Sequence, residues 1–244
     1  MGPESLAALA AGVFCIALLY SSVGHAGASG YIAVMTLLSV APASIKPVAL
    51  ALNIIVASIG SWQFWRAGYF SWTLFWPFAL LAVPLAFVGG ALQLPATHFK
   101  MLLGVILLYS AWRFLVRPAA ERPARPPARW QALGSGGVIG LLSGLTGTGG
   151  GIFLTPLLLL MRWATVKHAA AISAVFILLN SIAGLLGHVS STRSFPSFAL
   201  LLVAAAALGG SIGSYWGSRR LDPVMIKRFL ALVLLIAGTK LLLG

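Results

Sequence analysis

The stretch Ser143–Gly151 reads Ser-Gly-Leu-Thr-Gly-Thr-Gly-Gly-Gly and lies between two short apolar segments, Leu133–Leu142 and Gly151–Met161. An earlier stretch, Ser21–Gly30, reads Ser-Ser-Val-Gly-His-Ala-Gly-Ala-Ser-Gly and leads into a third short segment, Gly30–Val40. A transmembrane helix needs about 20 apolar residues, so none of these segments crosses a bilayer alone. We interpret Ser21–Gly30 (the first break) and Ser143–Gly151 (the second break) as places where a helix is interrupted, or a hairpin turns, inside the membrane.

The composition places the whole chain in lipid. Of 244 residues, 60% are apolar and only 8% are charged, and the mean hydropathy is +1.00. A soluble domain carries about 25% charged residues. We therefore predict an all-α integral membrane protein, a multi-pass polytopic helical bundle whose partner is the lipid bilayer.

Charge and cysteine content exclude other classes. The net charge is +13, but the basic residues stand at the ends of apolar runs, which is typical of a membrane protein and argues against nucleic-acid binding. The single Cys15 forms no internal disulfide. The first four residues contain no basic region, so we expect the first apolar segment to be a retained span and not a signal peptide.

Ten apolar segments follow one another along the chain. Beyond the three short ones, most have the length of a span, and none shows the alternation of a membrane β-barrel. The ten segments are Leu6–Tyr20, Gly30–Val40, Pro47–Phe64, Trp72–Leu94, Phe99–Val116, Leu133–Leu142, Gly151–Met161, Ala169–Gly187, Phe198–Trp216 and Val224–Leu243.

The hydrophilic stretch Arg117–Arg129 contains four prolines and divides two similar halves. Tyr20–Lys46 aligns without gaps on Leu141–Lys167, and Gly89-Gly90 corresponds to Gly209-Gly210. We therefore predict a first membrane repeat at 1–116, a cytoplasmic linker at 117–132 and a second membrane repeat at 133–244, which together form one transmembrane domain.

Charge predicts how the repeats are oriented. With the linker in the cytoplasm and each break in a hairpin, twelve basic residues fall inside, and only Lys46, Lys100, Arg193 and Lys240 fall outside. Each half then crosses the membrane an odd number of times. We expect two inverted-topology repeats, each with a glycine-broken helical hairpin plus three spanning helices, and both termini outside.

The breaks are also the candidate binding site. Non-helical backbone at membrane depth has to be buried in protein or line a cavity. Glycines let successive N–H groups converge on an anion, and the helix that follows adds its positive end. The alternative is that the glycines only allow close helix packing. The candidate substrate-binding residues are Ser21, Ser22, Gly24, His25, Gly27, Ser29, Gly30, Asn53, Ser143, Thr146, Gly147, Thr148, Gly149, Gly150, Gly151 and Asn180.

Three of these candidates have structural alternatives. A histidine at membrane depth is a functional candidate, so His25 is expected to bind the anion or carry a proton, unless it makes only a structural hydrogen bond. Asn53 and Asn180 line the pathway or join helices, and the same alternatives apply to Ser58, Ser173 and Ser181 in the same apolar segments. No Asp or Glu lies within a predicted span, which favours an anionic substrate, and no histidine pair has metal-ligand spacing, so we predict no metal site.

The tract Gly147-Thr-Gly-Gly-Gly151, followed by Ile-Phe-Leu-Thr-Pro156, resembles the signature of the sulfite exporter TauE/SafE family, also called the toluene-sulfonate uptake permease family. In that family a GxGGG-x4-P pattern occurs in duplicated halves. The resemblance implies transport of small sulfur-containing or organic anions such as sulfite, sulfonates or sulfoacetate across the bacterial inner membrane. The first half departs from the pattern, because Met35 stands where the proline is expected.

We therefore expect a secondary transporter that moves a small anion by alternating access, without a cofactor and without enzymatic activity. A channel-like anion facilitator is one alternative, and an intramembrane enzyme that uses Ser22, His25 and Cys15 is another, although no acid is available to orient the histidine. A structural partner subunit is a third. A homodimer is compatible with the sequence, which leaves the anion, the direction and the coupling ion open.

Overall fold

The computed structural model describes residues 3–92, 97–116, 124–192 and 199–243, and within these ranges the fold is all-helical without a strand. A π-helical turn, Trp216–Arg220, follows the ninth helix. The helices are α1 Pro3–Ser21, α2 Ala28–Leu37, α3 Pro42–Arg66, α4 Trp72–Ala91, α5 Thr97–Val116, α6 Arg129–Thr146, α7 Gly151–Leu160, α8 Val166–Thr192, α9 Ala199–Tyr215 and α10 Pro223–Leu243.

The sixth helix differs most from the prediction. It has 18 residues, so it extends beyond the predicted apolar segment Leu133–Leu142 at both ends and includes residues 129–132 of the predicted linker. Its first turn is closed by the Gln131 side chain, whose Oε1 accepts a hydrogen bond from the Ala128 N–H at 3.1 Å. Residues 117–123 of the linker, and Arg193, lie outside the described residues.

The helices have the lengths and the apolar composition of a multi-pass membrane protein. Four of the described helices, α1, α3, α4 and α8, are long and apolar enough to cross a membrane. The short helices α2 and α7 have ten residues each, as predicted. In the apolar window of α8, 67% of the residues are buried, against 28% for α1, so α8 lies at the centre of the bundle and α1 at its edge.

Two parallel helix pairs are joined by glycines that point at carbonyl groups. Gly136, Gly140 and Gly144 of α6 face the carbonyls of Phe78, Ala82 and Ala86 of α4. A methyl group at any of the three glycines would collide with these carbonyl oxygens, so the backbones approach closely, as in glycine-mediated packing of membrane helices.

The second such pair joins α9 and its π-helical turn to α1. Here Gly209, Gly213 and Gly217 face the carbonyls of Phe14, Leu18 and Ser22. Residue numbers rise together along both partners of each pair, so α6 runs parallel to α4, and α9 runs parallel to α1.

The long helices α3 and α8, in contrast, run antiparallel. Leu50 contacts Gly184, Asn53 contacts Ser181, and a methyl group on Gly60 would lie 3.8 Å from Cβ of Ala174. As residue numbers rise along α3, those of their partners fall along α8.

The most extensive contacts between helices keep their pattern when the first five helices are exchanged with the last five. The α1–α9 contact becomes α6–α4, α2–α3 becomes α7–α8, and α3–α9 becomes α8–α4, all of which are present. The α3–α8 and α5–α10 contacts map onto themselves. Each half therefore completes its packing with helices of the other half.

Candidate functional site

The second break is a short, irregular segment held open by three left-handed glycines. Gly147, Gly149 and Gly150 have φ angles of 73°, 77° and 80°, a region that side chains with a Cβ rarely adopt. The N–H groups of residues 148–152 have no backbone partner among the described residues. The helix α7 begins at Gly151, so its positive end adds to these free donors.

Side chains from α3 and α8 close over this segment. The Nδ2 atom of Asn53 lies 3.3 Å from the Thr148 carbonyl oxygen and 3.3 Å from Oγ of Ser181. A methyl group on Gly149 would lie 2.7 Å from that Nδ2 and 2.9 Å from that Oγ. The Oδ1 atom of Asn53 is buried without a hydrogen-bond partner in the described part of the chain. Asn53 and Ser181 thus line the second break directly.

Some of the hydroxyl groups around the second break already form hydrogen bonds within the protein. Oγ1 of Thr146 donates to the Leu142 carbonyl at 2.7 Å and lies 2.9 Å from Oγ1 of Thr148, from which it accepts. Thr148 is partly exposed, whereas the glycines on both sides of it are buried. Oγ of Ser143 is buried and has no partner within the described ranges.

The first break also contains glycines with positive φ angles, but its glycine Gly24 is packed more tightly. Gly24 and Gly27 have φ angles of 80° and 109°. The N–H groups of residues 23–25 donate to the carbonyls of Tyr20 and Ser21, the last residues of α1. A methyl group on Gly24 would lie 2.5 Å from Cα of Ala170 in α8. Gly24 is therefore packed against backbone, whereas Gly149 of the second break faces polar side chains.

His25 links the first break to the helix after the second. Its Nε2 lies 2.7 Å from Oγ1 of Thr155 in α7, and that hydroxyl donates to Oγ of Ser173 in α8 at 2.6 Å. Because the single Thr155 proton is used on Ser173, Nε2 of His25 is the donor to Thr155. In a neutral ring the buried Nδ1 is then an acceptor, so it offers a donor to an anion only when the ring is doubly protonated.

Several predicted donors already form hydrogen bonds within the protein. Oγ of Ser21 and Oγ of Ser22 donate to the carbonyls of Leu18 and Leu19, and Ser29 donates to the Tyr20 hydroxyl. Asn180 donates to the Phe176 carbonyl. Gly30 and Gly151 lie in the first turns of α2 and α7, against Ile16 and Ile177. These contacts bring the second break, Asn53 and Ser181 together, and they leave Ser21, Ser22, Ser29 and Asn180 outside that group.

Sequence reasoning missed Thr155, but it singled out Ser173 and Ser181 as polar residues of an apolar helix, without including them among the candidate binding residues. Ser173 and Ser181 are eight positions apart on α8. That spacing is near two helical turns, so both side chains share a face of α8.

The site carries no protein carboxylate in the described residues. Glu4 lies at the start of α1 and Asp222 just before α10. No group of histidine, cysteine and acidic side chains suited to a metal ion occurs in the described ranges. What the geometry offers is a set of uncharged donors, which suits a small anion.

Comparison with known proteins gives one consistent family. The family model described as sulfite exporter TauE/SafE matches residues 9–241. The probable membrane transporter protein y4hK of Sinorhizobium fredii is 43% identical over 240 residues, which is 96% of this chain and 97% of that protein. The probable membrane transporter protein YjnA of Bacillus subtilis is 27% identical over 260 residues, covering 98% of this chain and 100% of that protein. No solved structure matches significantly.

Proposed function

The chain belongs to the sulfite exporter TauE/SafE family of membrane transporters, and we propose on this premise that it is a secondary transporter for a small anion. The substrate is sulfite or another sulfur-containing or organic sulfonate or carboxylate anion. Transport proceeds by alternating access across the cell membrane.

One observation carries the choice of an anion. At the second break, the unpaired N–H groups of residues 148–152 stand at the positive end of α7, beside Asn53 and Ser181. Unsatisfied backbone donors in a membrane protein need a partner, and an oxyanion accepts several hydrogen bonds at once. The partial exposure of Thr148 leaves this group of donors within reach of water.

The antiparallel α3–α8 pair supports two inverted halves. Moving Asn53 and Ser181 by 121 positions, the offset of Tyr20 and Leu141, gives Ala174 and Gly60, which also face each other. An inverted repeat requires such an exchange between equivalent helices. Alternating access then consists of rocking one set of helices against the other about this pair.

Binding is tested by thermal stabilisation of the purified protein with sulfite, thiosulfate, sulfonates and carboxylates. A ligand of the native state raises its apparent stability by mass action, with about 2.7 kcal/mol expected at 100 times the dissociation constant. We expect one class of small oxyanion to shift the melting temperature. Equal, negligible shifts with all of the anions would contradict the proposal.

Transport is tested by counterflow in liposomes. A carrier with alternating access exchanges labelled anion faster when unlabelled anion is present on the opposite side, whereas a channel-like facilitator shows no such stimulation. We expect stimulation with the anion that stabilises the protein.

Topology is tested by single cysteines at Ser5 and Ala120 in a chain whose Cys15 is replaced. An impermeant thiol reagent applied to intact cells should label residue 5 and leave residue 120 unlabelled. The opposite labelling pattern would exclude the proposed orientation.

A further inference from the structure

The end of the α3–α8 pair where α3 begins and α8 ends carries two polar side chains, Lys46 and His188, that the proposed site does not use. We propose that they form a second subsite for a small oxyanion, through which the anion passes between the second break and the water on that side. This inference rests on the proposed function and adds a second binding position for the transported anion.

Lys46 is half-buried and only partly satisfied. Its Nζ donates to the carbonyl oxygens of Gly90 at 3.2 Å and Gly89 at 3.5 Å, in the last turn of α4. An ammonium group has three donors, so one remains after these two bonds. No carboxylate among the described residues forms an ion pair with it, so the charge lacks a protein counter-ion there.

The lysine also lies directly beside the second break. A methyl group on Gly147 would lie 2.9 Å from Cγ of Lys46. The stem of the lysine therefore contacts the first left-handed glycine of the break, while its ammonium reaches the end of α4. An anion bound to that ammonium would be next to the free N–H groups of the break.

His188 supplies the second group. Its side chain is 8% exposed, and its Nε2 is buried without a hydrogen-bond partner in the described part of the chain. A methyl group on the preceding residue, Gly187, would lie 2.9 Å from the backbone nitrogen of Ala91, which belongs to the same peptide group as the Gly90 carbonyl that Lys46 binds, so His188 and Lys46 approach the same end of α4. A buried ring nitrogen without a partner costs free energy, which a bound ligand recovers.

At the opposite end of the α3–α8 pair, the polar side chains have partners that Lys46 and His188 lack among the described residues. Lys167 is the residue that aligns with Lys46, and its Nζ lies 5.1 Å from the centroid of the Tyr69 ring. The neighbouring His168 bonds Oγ1 of Thr165 through Nδ1 at 2.8 Å. At that end the Tyr69 ring and the Thr165 hydroxyl are partners of the polar side chains, so a substitution of Lys167 serves as a control for one of Lys46.

The test compares Lys46→Gln, Lys46→Arg, His188→Phe and Lys167→Gln in right-side-out and inside-out membrane vesicles, with sulfite and methanesulfonate as probes. We expect Lys46→Gln to raise KM at least tenfold on the Lys46 side only, with the maximal rate from that side rising in proportion, because Vmax/KM of a carrier is equal in the two directions without a gradient. His188→Phe should raise KM on that side about threefold, and Lys46→Arg should keep KM near that of the unmodified protein. Lys167→Gln should leave KM unchanged on both sides.

The competing explanation is that Lys46 only caps α4. Lys46→Gln would then lower the melting temperature and leave KM unchanged on both sides, and this result overturns the proposal. An equal rise of KM on both sides also overturns it, because a subsite on one side has a one-sided effect. If the unmodified protein takes up neither probe, the proposed function fails for these anions, and the subsite fails with it.

Discussion

The two breaks occupy equivalent places in the two halves and yet have different surroundings. Both use left-handed glycines and lead into a ten-residue helix. The second break meets Asn53 and Ser181, whereas their counterparts Ala174 and Gly60 offer no hydrogen bond. The shared features are therefore those that the fold requires, and the unshared polar groups are the reason for proposing the second break as the binding site.

The largest effect is expected at Gly24, in the first break. Gly24→Ala places a methyl group against the Ala170 backbone and strains a positive φ, so the free energy of unfolding should fall by about 2–4 kcal/mol. Thermal melting in detergent measures the loss. Gly68→Ala is the matched control, because Gly68 has a φ of 81° with open space around it. Equal melting temperatures for the two variants would contradict a packed first break.

A smaller effect on stability, and a large one on binding, is expected in the second break. Gly149→Ala pushes a methyl group against Nδ2 of Asn53 and Oγ of Ser181. Loss of one charge-assisted hydrogen bond to the anion costs on the order of 1.5–3 kcal/mol, or roughly tenfold to over a hundredfold in Kd. Binding is measured on monodisperse protein, with Gly134→Ala as control because that glycine faces open space. Unchanged affinity in a folded variant would remove the second break from the site.

An intermediate effect is expected from Asn53→Ala. The change removes the bonds to the Thr148 carbonyl and Ser181, so the segment loses its support and Kd should rise about three- to tenfold. A double-mutant cycle with Ser181→Ala should show effects that do not add, because the two side chains contact each other. Ser58→Ala on the same helix is the control, since its hydroxyl bonds the Ile54 carbonyl on an exposed face. Strict additivity would mean that the two side chains act separately.

The smallest effect is expected from Thr148→Val. The Thr148 hydroxyl bonds Thr146, so its removal disturbs the anion only indirectly, and Kd should rise by about threefold or less. Equilibrium binding measures the change, with Thr239→Val as control because that hydroxyl bonds its own helix at an exposed position. A rise as large as that of Gly149→Ala would show that the hydroxyl contacts the anion directly.

Sequence reasoning reached the all-helical fold and the two short helices because glycine content and apolar length are local signals. It underestimated the length of α6, because the apolar segment Leu133–Leu142 stops short of both ends of that helix. Gly136, Gly140 and Gly144 recur every four residues in α6 and so lie on one face, where they admit the carbonyls of α4. The four-residue spacing of these glycines can be read from the sequence, but the helix that they contact cannot.

The polar contacts of the site were harder to predict. Asn53 was a candidate on its own, yet its bonds to Thr148 and Ser181 join three separate helices or breaks. Lys46 and His188 are still more distant in sequence. Such pairs depend on the antiparallel register of α3 and α8, which the pattern of apolar residues does not encode.

The pairing of α1 with α9 has a consequence for biosynthesis. Gly209 faces the Phe14 carbonyl, so α1 finds its main neighbour only after nearly the whole chain has been made. At about 5–20 residues per second, roughly 10–40 s separate the synthesis of these two positions. During that interval α1 has no contact with α9, so insertion chaperones or the translocon have time to bind α1 before α9 is synthesised.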